Sequence, residues 1–325
     1  MKKIKVGING FGRIGRAFYK AALKHEEIEV VAVNDLTSIE NVEYLLKYDT
    51  VYGMSDATLK GVKYVSEKDP TKLPWKELGV DVVVESTGLF TATDKAQAHI
   101  DAGAKRVVIS APIKDDNSPT VLMAMNEDKL KGCAISSNAS CTTNAGSPLI
   151  TILDEALGIE KALLNTVHAY TASQALVDGP SKKDMREGRA AAMNIVPSST
   201  GAAIAVTKVT PHLAGLFDGI SIRVPVAVGS IVDITFISKK NTTAEEVNAL
   251  LKKAAGEARW KGIFTVTEED LVSRDIIGNT HASIADLAFT RVVGGNLVKV
   301  LAWYDNEMGY THTLVRHVIE AGKLI

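Results

Sequence analysis

The first 140 residues alternate short apolar runs with stretches of helical periodicity. The runs are continuous in Val and Ile, which is typical of strands that are buried on both faces in a parallel sheet covered by helices. These strands are predicted at residues 4–8, 29–33, 80–85 and 105–110. Helical patterns at about 13–24 and 93–102 lie between them. The pattern therefore predicts a doubly wound α/β domain.

The second half has longer apolar segments, and several of them alternate apolar with polar residues. They lie at residues 160–170, 219–228, 230–239 and 296–304. In the second segment Ile220, Ile222, Val224, Val226 and Val228 share one face, and Ser221, Arg223 and Ala227 share the other. Such alternation indicates a largely antiparallel sheet with one exposed side. We therefore expect an α+β domain after the α/β domain.

Two further segments stand out in the second half. Residues 171–194 show little periodicity, and a loop of that length inside a compact domain is usually functional or disordered. Residues 310–323 place Leu314, Val315, Val318 and Ile319 at helical spacing. The chain is therefore expected to end in a helix.

Composition excludes several classes of protein. The 325 residues suffice for about two domains. Apolar residues make up 46 % and charged residues 23 %, as in ordinary globular proteins. The net charge of −1 gives no field that would favour nucleic acid or an anionic membrane. The opening MKKIKVGING lacks the apolar core of a signal peptide, and no apolar run reaches the roughly 18 residues of a membrane span. We expect a cytoplasmic enzyme.

A glycine motif follows the first predicted strand. Gly10, Gly12 and Gly15 form a G-x-G-x-x-G pattern at the head of a helix, where glycine allows close approach of a pyrophosphate to the helix N-terminus. Alone, the motif is equally compatible with a structural turn. Asp35 ends the second strand, at the spacing of a carboxylate that binds an adenosine ribose, although it could instead cap the helix near Ile39. The combination predicts a Rossmann-type dinucleotide-binding domain.

The segment SNASCTTNAGSP places Cys141 among small polar residues, where a strand gives way to a helix. A helix N-terminus lowers the pKa of a cysteine and favours the nucleophilic thiolate. Cys133 is predicted to lie in an apolar strand and to be an inert packing residue. The chain has only these two cysteines, which excludes a disulfide framework and a zinc cluster. Among seven histidines, His168 ends a strand just before the long loop, but spacing alone does not select it as the base.

Several segments together resemble a known family over nearly the whole chain. They read GINGFGRIGR, ND at 34–35, VVESTG, SAP at 110–112, SNASCTTN, TVHAYT, GRAAAMNIVPSSTGAA, RVPV and WYDNEMGY. In this order they closely resemble the phosphorylating glyceraldehyde-3-phosphate dehydrogenases. The resemblance implies NAD as the cofactor, and glyceraldehyde 3-phosphate and inorganic phosphate as the substrates. It implies that Cys141 attacks the aldehyde while His168 activates the thiol, so that a thioester forms and phosphate releases it.

The resemblance also implies the ligands of each group. Two anions must be held, the phosphate of the substrate and the attacking phosphate. Thr171 and Arg223 would hold one of them, whereas Ser140, Thr142, Thr200 and Gly201 would serve mainly the other. The cofactor set would be Gly10, Gly12, Arg13, Ile14, Asp35, Lys68, Ser110 and Asn306. On the residues alone, Arg223 could equally form a surface ion pair. Thr200 and Gly201 could equally have a purely structural role, as the N-cap of a helix.

The resemblance further implies an assembly. An NAD-binding domain of residues 1–140 would be completed by the C-terminal helix, about 307–325, and residues 141–306 would form the catalytic domain. The protein would be a homotetramer with the long loop between subunits. Lys182, Lys183, Arg186 and Arg189 would then be solvated or contact another subunit. The resemblance also implies a preference for NAD over NADP, because Pro180 matches a loop proline that is associated with NAD in the family. Repulsion between the Asp35 carboxylate and the 2′-phosphate of NADP leads to the same expectation.

Four features depart from the family pattern. Ala145 stands where a second cysteine is usual, Ser173 where many bacterial members have Asp, and Met308 where Trp is usual. Residues 48–69 are shorter than usual, which suggests a trimmed hairpin.

Two competing functions stay open from the sequence. One is an erythrose-4-phosphate or semialdehyde dehydrogenase with the same chemistry. The other is a nucleotide-binding regulatory or RNA-associated protein without catalysis, which the presence of Cys141 and His168 disfavours.

Overall fold

A computed structural model describes residues 3–181 and 184–325 of the chain. Lys182 and Lys183, expected to be solvated or to contact another subunit, lie outside this range. The chain forms two compact units: one contains the residues up to Ser140 together with Thr311–Ile325, and the other contains Cys141–Tyr310. Of the helices within the described ranges, none is long and apolar enough to cross a membrane.

The first unit contains twelve helices and strands before residue 140 among its described residues. They are β1 (Ile4–Asn9), α1 (Arg13–Ala22), β2 (Ile28–Asn34), α2 (Ile39–Lys47), β3 (Tyr48–Asp49), β4 (Gly53–Met54), β5 (Lys63–Val65), α3 (Trp75–Leu78), β6 (Val82–Glu85), α4 (Thr93–Asp101), β7 (Arg106–Ile109) and β8 (Ile135–Ser137). Short 3₁₀ turns cover Pro70–Lys72 and Glu127–Gly132. Strands β3 and β4 form a small antiparallel hairpin of their own, within residues 48–69, where a trimmed hairpin was predicted.

Six strands of this unit form one parallel sheet in the order β5-β2-β1-β6-β7-β8. The predicted α/β domain is confirmed. Val82, Val83 and Val84 are all fully buried, as expected for a strand that is covered on both faces. The strand order reverses at β1, which lies between β2 and β6. A reversal of this kind opens a crevice at the carboxyl ends of the strands, where α/β proteins bind ligands.

The second unit is an α+β structure. Its elements are α5 (Cys141–Leu157), β9 (Ile159–Ala169), β10 (Val196–Ser199), α6 (Ala202–Thr207), β11 (Phe217–Val224), β12 (Ser230–Ser238), α7 (Ala244–Ala255), β13 (Phe264–Thr267), β14 (Ser283–Val293) and β15 (Leu297–Tyr304), followed by α8 (Met308–Gly322). The seven strands form a sheet in the order β10-β11-β9-β12-β15-β14-β13, with four antiparallel and two parallel pairs. The predicted largely antiparallel sheet is confirmed.

Strand β11 differs from its prediction in length and in orientation. It ends at Val224, not at residue 228, because Pro225 has no N–H to extend the ladder. Its apolar side is also the more exposed one, since Ile220 is 54 % exposed whereas Ser221 is 2 % exposed. The polar side, with Ser221 and Arg223, therefore faces inward. A polar inward face is unusual in a core, and it places Arg223 beside buried chemistry.

Helix α8 completes the first unit through a buried histidine. The His317 Nδ1 atom lies 3.1 Å from Asn138 Oδ1, and its Nε2 atom lies 2.9 Å from Ser136 Oγ. A neutral ring satisfies both contacts by donating to the amide oxygen and accepting from the hydroxyl. Burial lowers the pKa of His317 to about 3. The helix is thus tied to β8 and to the residue that follows it by an uncharged imidazole.

This histidine predicts a loss of stability in acid. Between the folded pKa of about 3 and the ordinary value of 6.5, the unfolded chain binds a proton that the folded chain does not. Stability therefore rises with pH in this window and is lost as pH falls through it, by up to about 1.4 kcal/mol per pH unit. His317→Asn should make the melting temperature less dependent on pH between about 7 and 5. The same substitution at the partly exposed His25 should not, and equal pH dependence in the two variants would contradict this role for His317.

Candidate active site

The chain makes a tight turn just before the nucleophile candidate. Ala139 has a φ of +56°, in the left-handed region that side chains rarely adopt. Its N–H donates to Ser137 Oγ at 2.9 Å, and this hydroxyl donates to Ala111 O at 2.6 Å. Helix α5 then begins at Cys141 itself. The end of β8, the strained turn at Ala139 and the start of α5 together fix the position of the thiol. Cys141 therefore lies where a strand gives way to a helix, as the sequence predicted.

Cys141 and His168 lie together in the second unit. The Cys141 Sγ atom is 3.3 Å from His168 Nε2, which is within hydrogen-bond distance for sulfur. His168 is buried near the end of β9, on the inner face of the sheet. This is the geometry of a nucleophile beside its base. Spacing along the chain did not select His168 among the seven histidines, whereas the fold places it against the thiol.

Arg223 is brought to the same point by strand register. β9 and β11 run parallel, and Arg223 is the direct partner of His168 in that pair. The Arg223 Nη1 atom lies 2.6 Å from His168 Nδ1 and 3.1 Å from Ala169 O. Its Nε atom is buried and has no hydrogen-bond partner among the residues that the structure describes. Within residues 3–181 and 184–325, Arg223 forms no ion pair, and the Nε donor of its guanidinium is left for an acceptor from outside these residues.

The pKa of Cys141 is shifted in the direction opposite to the one that its place at a helix N-terminus predicted. Desolvation raises the pKa of Cys141 above its ordinary value, although the Arg223 charge and hydrogen bonds from Thr142 oppose this. Desolvation and the same Arg223 charge lower the pKa of His168 to about 4. The expectation of a lowered thiol pKa is therefore wrong for this state of the protein. The resting pair is a neutral thiol beside a neutral imidazole.

Tyr304 contacts both of the elements that carry Cys141 and His168. This role was not predicted from the sequence. Its hydroxyl lies 2.9 Å from Thr142 Oγ1 on α5 and 2.7 Å from Thr166 Oγ1 on β9. Its ring packs edge-on against the His168 ring, with centroids 5.9 Å apart. Burial raises the pKa of Tyr304, so the phenol stays protonated. The only sequence signal for this role was its place in WYDNEMGY.

The structure places the candidate phosphate ligands in different surroundings. Thr171 is half-buried, and its hydroxyl lies 3.1 Å from that of Ser173. Thr200 accepts a bond from Ala202 N, as a helix cap would, and Gly201 is exposed beside it. The Thr142 hydroxyl lies 2.9 Å from that of Tyr304, and both the side chain and the backbone of Thr142 hydrogen-bond to Cys141. Ser140 is half-buried directly before α5.

The glycine motif of the first unit forms a tight cradle. Gly10 has a φ of +91°, and a Cβ atom there would lie 2.6 Å from Thr87 N. A Cβ on Gly15 would lie 2.2 Å from Gly10 O, so this position packs the turn against α1. By contrast, a Cβ on Gly12 would meet no atom within 4 Å. The open space in front of Gly12, at the first turn of α1, fits a pyrophosphate.

The cradle opens into a cavity of about 400 Å³ that Gly10, Gly12, Asp35 and Lys68 all line. Asp35 does not cap α2, which is instead capped by Ser38. Its Oδ2 atom accepts from Phe11 N at 2.7 Å, and its Oδ1 atom accepts from Thr37 N at 3.1 Å. The carboxylate is thereby fixed at the carboxyl end of β2. This position suits the ribose of a dinucleotide.

The four other residues predicted to bind the cofactor differ in their burial and in their partners. Ile14 is half-buried in α1, while Arg13 pairs with Asp49 at 3.2 Å. Ser110 follows β7, and its N–H donates to Glu85 O. Asn306, in the second unit, is buried, and its Oδ1 atom accepts from Gly229 N at 3.0 Å.

A buried network underlies the cavity and was also missed. Glu85 is 1 % exposed, and its carboxylate accepts from Asn9 Nδ2 at 2.6 Å and from Thr87 N at 2.8 Å. The His99 Nε2 atom lies 3.0 Å from the same carboxylate, while His99 Nδ1 accepts from Trp75 Nε1 at 3.1 Å. The network holds Asn9 and Thr87, which both line the cavity.

Cys133 lies apart from this chemistry. It is half-buried in the turn that follows the 3₁₀ segment and precedes β8, not in a strand as expected. Burial raises the pKa of its thiol.

Two family profiles match the chain, one for each part of the sequence. Residues 4–93 match the family profile described as the NAD-binding domain of glyceraldehyde 3-phosphate dehydrogenase, and residues 140–306 match the C-terminal domain of that family. The chain belongs to the glyceraldehyde-3-phosphate dehydrogenase family. It is 49 % identical to the glyceraldehyde-3-phosphate dehydrogenase of Geobacillus stearothermophilus over 96 % of each chain. It is also 49 % identical to that of Mycobacterium avium, over 98 % of this chain and 99 % of the other. Glyceraldehyde-3-phosphate dehydrogenase B of Aspergillus oryzae is 46 % identical over 98 % and 99 %.

Gly12 and Gly15 both lie in the NAD-binding domain, but only Gly12 has open space around its Cβ position. Replacing each glycine by Ala should therefore have a different outcome. Gly12→Ala should leave the melting temperature nearly unchanged, because its Cβ meets open space in the protein itself. It should weaken NAD binding by at least about tenfold, since the methyl enters the space for the pyrophosphate. Gly15→Ala should instead lower the melting temperature, because the turn must shift. Calorimetry of NAD binding and of unfolding checks both, and normal NAD affinity in Gly12→Ala would contradict the assigned cradle.

Proposed function

We propose that the protein catalyses the NAD-dependent oxidative phosphorylation of glyceraldehyde 3-phosphate to 1,3-bisphosphoglycerate. The contact between Cys141 Sγ and His168 Nε2 at 3.3 Å carries this proposal. A thiol beside an imidazole is suited to forming a thioester, and the family to which the chain belongs acts on this aldehyde. This role places the protein in glycolysis and gluconeogenesis, with a cytoplasmic location.

The first step is attack on the aldehyde. The proton of the Cys141 thiol passes to His168 Nε2, and the sulfur forms a bond to the aldehyde carbon. The imidazolium then gives its proton to the aldehyde oxygen, which becomes the hydroxyl of a hemithioacetal. General base catalysis of this kind contributes about 10²–10⁴-fold to a rate.

The second step is oxidation of the hemithioacetal. When bound, NAD supplies the acceptor for the hydride that leaves the substrate carbon. His168 Nε2 takes back the hydroxyl proton at the same time, which leaves an acyl group on Cys141. Inorganic phosphate then attacks the thioester, and the Cys141 thiolate leaves.

Two anions must be held near the thiol during these steps. Thr171 and Arg223 are proposed to bind the phosphate of the substrate, because a guanidinium with a buried unpartnered donor suits phosphate oxygens. Ser140, Thr142, Thr200 and Gly201 are proposed to serve the attacking phosphate through hydroxyls and backbone amides. Arg13, Ile14, Lys68, Ser110 and Asn306 are proposed as further contacts of the cofactor.

The reaction is tested by NAD reduction with glyceraldehyde 3-phosphate, with and without inorganic phosphate. We expect strict dependence on phosphate. Cys141→Ser should abolish activity while NAD binding persists, because an alcohol cannot replace the thiolate. Cys133→Ser is the matched control and should turn over nearly normally. Preference for erythrose 4-phosphate, or activity without phosphate, would contradict the proposed substrates.

The position of Asp35 predicts which of the two cofactors, NAD or NADP, the protein prefers. Its fixed carboxylate would face the ribose 2′-hydroxyl of NAD, where NADP carries a phosphate, and the two negative groups would repel. The segment NDLTSIE has no Lys or Arg directly after Asp35 to offset this. The protein should therefore use NAD far better than NADP, and Asp35→Ala should weaken NAD binding and narrow the preference. Comparable kcat/KM with the two cofactors in the unmodified protein would contradict the placement of Asp35.

The assembly is proposed to be a homotetramer. The outer face of the sheet exposes Leu163 by 67 % and Ile220 by 54 %, and the long loop exposes Leu176 by 81 % and Met185 by 89 %. Large apolar side chains that are exposed together in a patch are typical of protein interfaces. Their position on the sheet and the loop supports burial against other copies of the chain.

A charge on the sheet face should therefore disrupt the assembly. Leu163→Asp places a carboxylate in the proposed interface and should yield smaller species by light scattering at micromolar concentration. Leu23→Asp is the matched control, because Leu23 is comparably exposed at 58 % but lies at the end of α1. A monomeric unmodified protein, or an intact tetramer of Leu163→Asp, would contradict the proposed interface.

A further inference from the structure

Trp75 fixes which ring nitrogen of His99 carries the hydrogen. The Trp75 Nε1 atom lies 3.1 Å from His99 Nδ1, and an indole N–H can only donate a hydrogen bond. His99 Nδ1 must therefore accept, and the ring hydrogen lies on Nε2. That nitrogen is 3.0 Å from Glu85 Oε2 and donates to it. All three side chains belong to residues that are at most 1 % exposed, so they depend on one another for their hydrogen bonds.

The Glu85 carboxylate is surrounded by donors. Its Oε2 atom accepts from His99 Nε2 at 3.0 Å and from Asn9 Nδ2 at 2.6 Å. Its Oε1 atom accepts from the backbone N–H of Thr87 at 2.8 Å and from the Thr87 hydroxyl. Because a carboxylate only accepts, it fixes the amide of Asn9 with Nδ2 towards Glu85 and Oδ1 away from it.

The direction of donation continues through a second amide to the wall of the cofactor cavity. Asn34 Nδ2 donates to Asn9 Oδ1 at 2.7 Å. Asn34 also holds the backbone of Glu67, since its Nδ2 atom donates to Glu67 O and its Oδ1 atom accepts from Glu67 N, both at 2.9 Å. Lys68 follows Glu67, and Asp35 follows Asn34. Reversing one amide would therefore set donor against donor at the next, directly beside Asp35.

The two ends of this chain of hydrogen bonds differ in their access to a ligand. Asn9, Asn34 and Thr87 line the cavity of about 400 Å³, whereas Glu85 and His99 lie behind its wall and do not line it. A change at either of the latter residues can therefore reach a bound molecule only through the side chains that they orient.

We propose that Glu85 and His99 are positioning residues for the adenosine half of NAD. They fix the amides of Asn9 and Asn34, and through these amides the segments of the cavity wall beside Asp35. This inference rests on the ribose site that the proposed function assigns to Asp35, but not on the reaction itself. Positioning of the adenosine half acts on cofactor binding and not on the chemical step, because the adenosine does not react.

The probe is ADP-ribose, which carries the adenosine half and the pyrophosphate of NAD but no nicotinamide. Glu85→Gln keeps the size of the side chain but places an NH₂ group against donors whichever way it turns. Towards Thr87 it meets a backbone N–H, and towards Asn9 it forces that amide to flip against Asn34. By calorimetry, Glu85→Gln should weaken binding of ADP-ribose and of NAD by the same factor, about tenfold.

The matched control is Asp81→Asn. Asp81 directly precedes β6, which Glu85 ends; it is 5 % exposed, and its carboxylate accepts from Lys5 N at 3.0 Å. The control thus removes a buried carboxylate from the end of the strand that lies away from the cavity. It should lower the melting temperature but leave ADP-ribose affinity unchanged. Equal weakening in the two variants, or unmodified affinity in folded Glu85→Gln, would overturn the proposal.

A second pair of variants decides the matter if Glu85→Gln does not fold. His99→Gln supplies an amide that can accept from Trp75 and donate to Glu85, whereas His99→Met has a side chain of similar length that can do neither. His99→Gln should therefore bind ADP-ribose at least about threefold more tightly than His99→Met. Equal affinities of these two variants would refute the role of His99.

Steady-state NAD reduction separates this inference from the proposed function. Glu85→Gln should raise the KM for NAD about tenfold without a fall in kcat, because the lost interaction is common to the ground state and the transition state. A fall in kcat at an unchanged KM would contradict positioning. If the unmodified protein does not oxidise glyceraldehyde 3-phosphate, the proposed function fails, whereas the ADP-ribose affinities still decide whether Glu85 and His99 position the cofactor.

Discussion

Desolvation at the Cys141–His168 contact disfavours both of the charged forms that acyl transfer needs. It raises the pKa of the thiol and lowers that of the imidazole to about 4. A proton transfer between them creates a thiolate and an imidazolium together, so neither charge is left alone in the low-dielectric interior. The cost falls further when an anion stands near the imidazolium. Ionisation of the Cys141 thiol is therefore tied to protonation of His168.

The surrounding elements serve this contact through their geometry. The strained turn at Ala139 and the start of α5 fix the sulfur, while β9 fixes the imidazole. Tyr304 joins the two by bonding a threonine on each element. Since that phenol is buried and stays protonated, it holds the two elements in register without adding charge. Catalytic pairs need such support, because small errors in distance are costly to rate.

Local sequence predicted the features that depend on neighbouring residues. The strand before Gly10, the helix beginning at Cys141 and the buried valines of β6 follow from periodicity and glycine spacing. The contacts of Arg223 did not follow, because they depend on the register between β9 and β11, whose partners lie 55 residues apart. Alternation along β11 likewise indicated two faces but could not show that the polar face is the inner one. Tyr304 was missed for the same reason, since its bond to Thr166 spans 138 residues.

In the proposed reaction, the Cys141 thiol becomes an acyl carrier when the substrate is present. This step is tested by mixing the protein with NAD and glyceraldehyde 3-phosphate in the absence of inorganic phosphate, quenching in acid and locating the adduct by mass spectrometry. We expect one acyl group per chain, on the peptide that contains Cys141. An adduct on the Cys133 peptide, or NADH formation without any acylated cysteine, would contradict it.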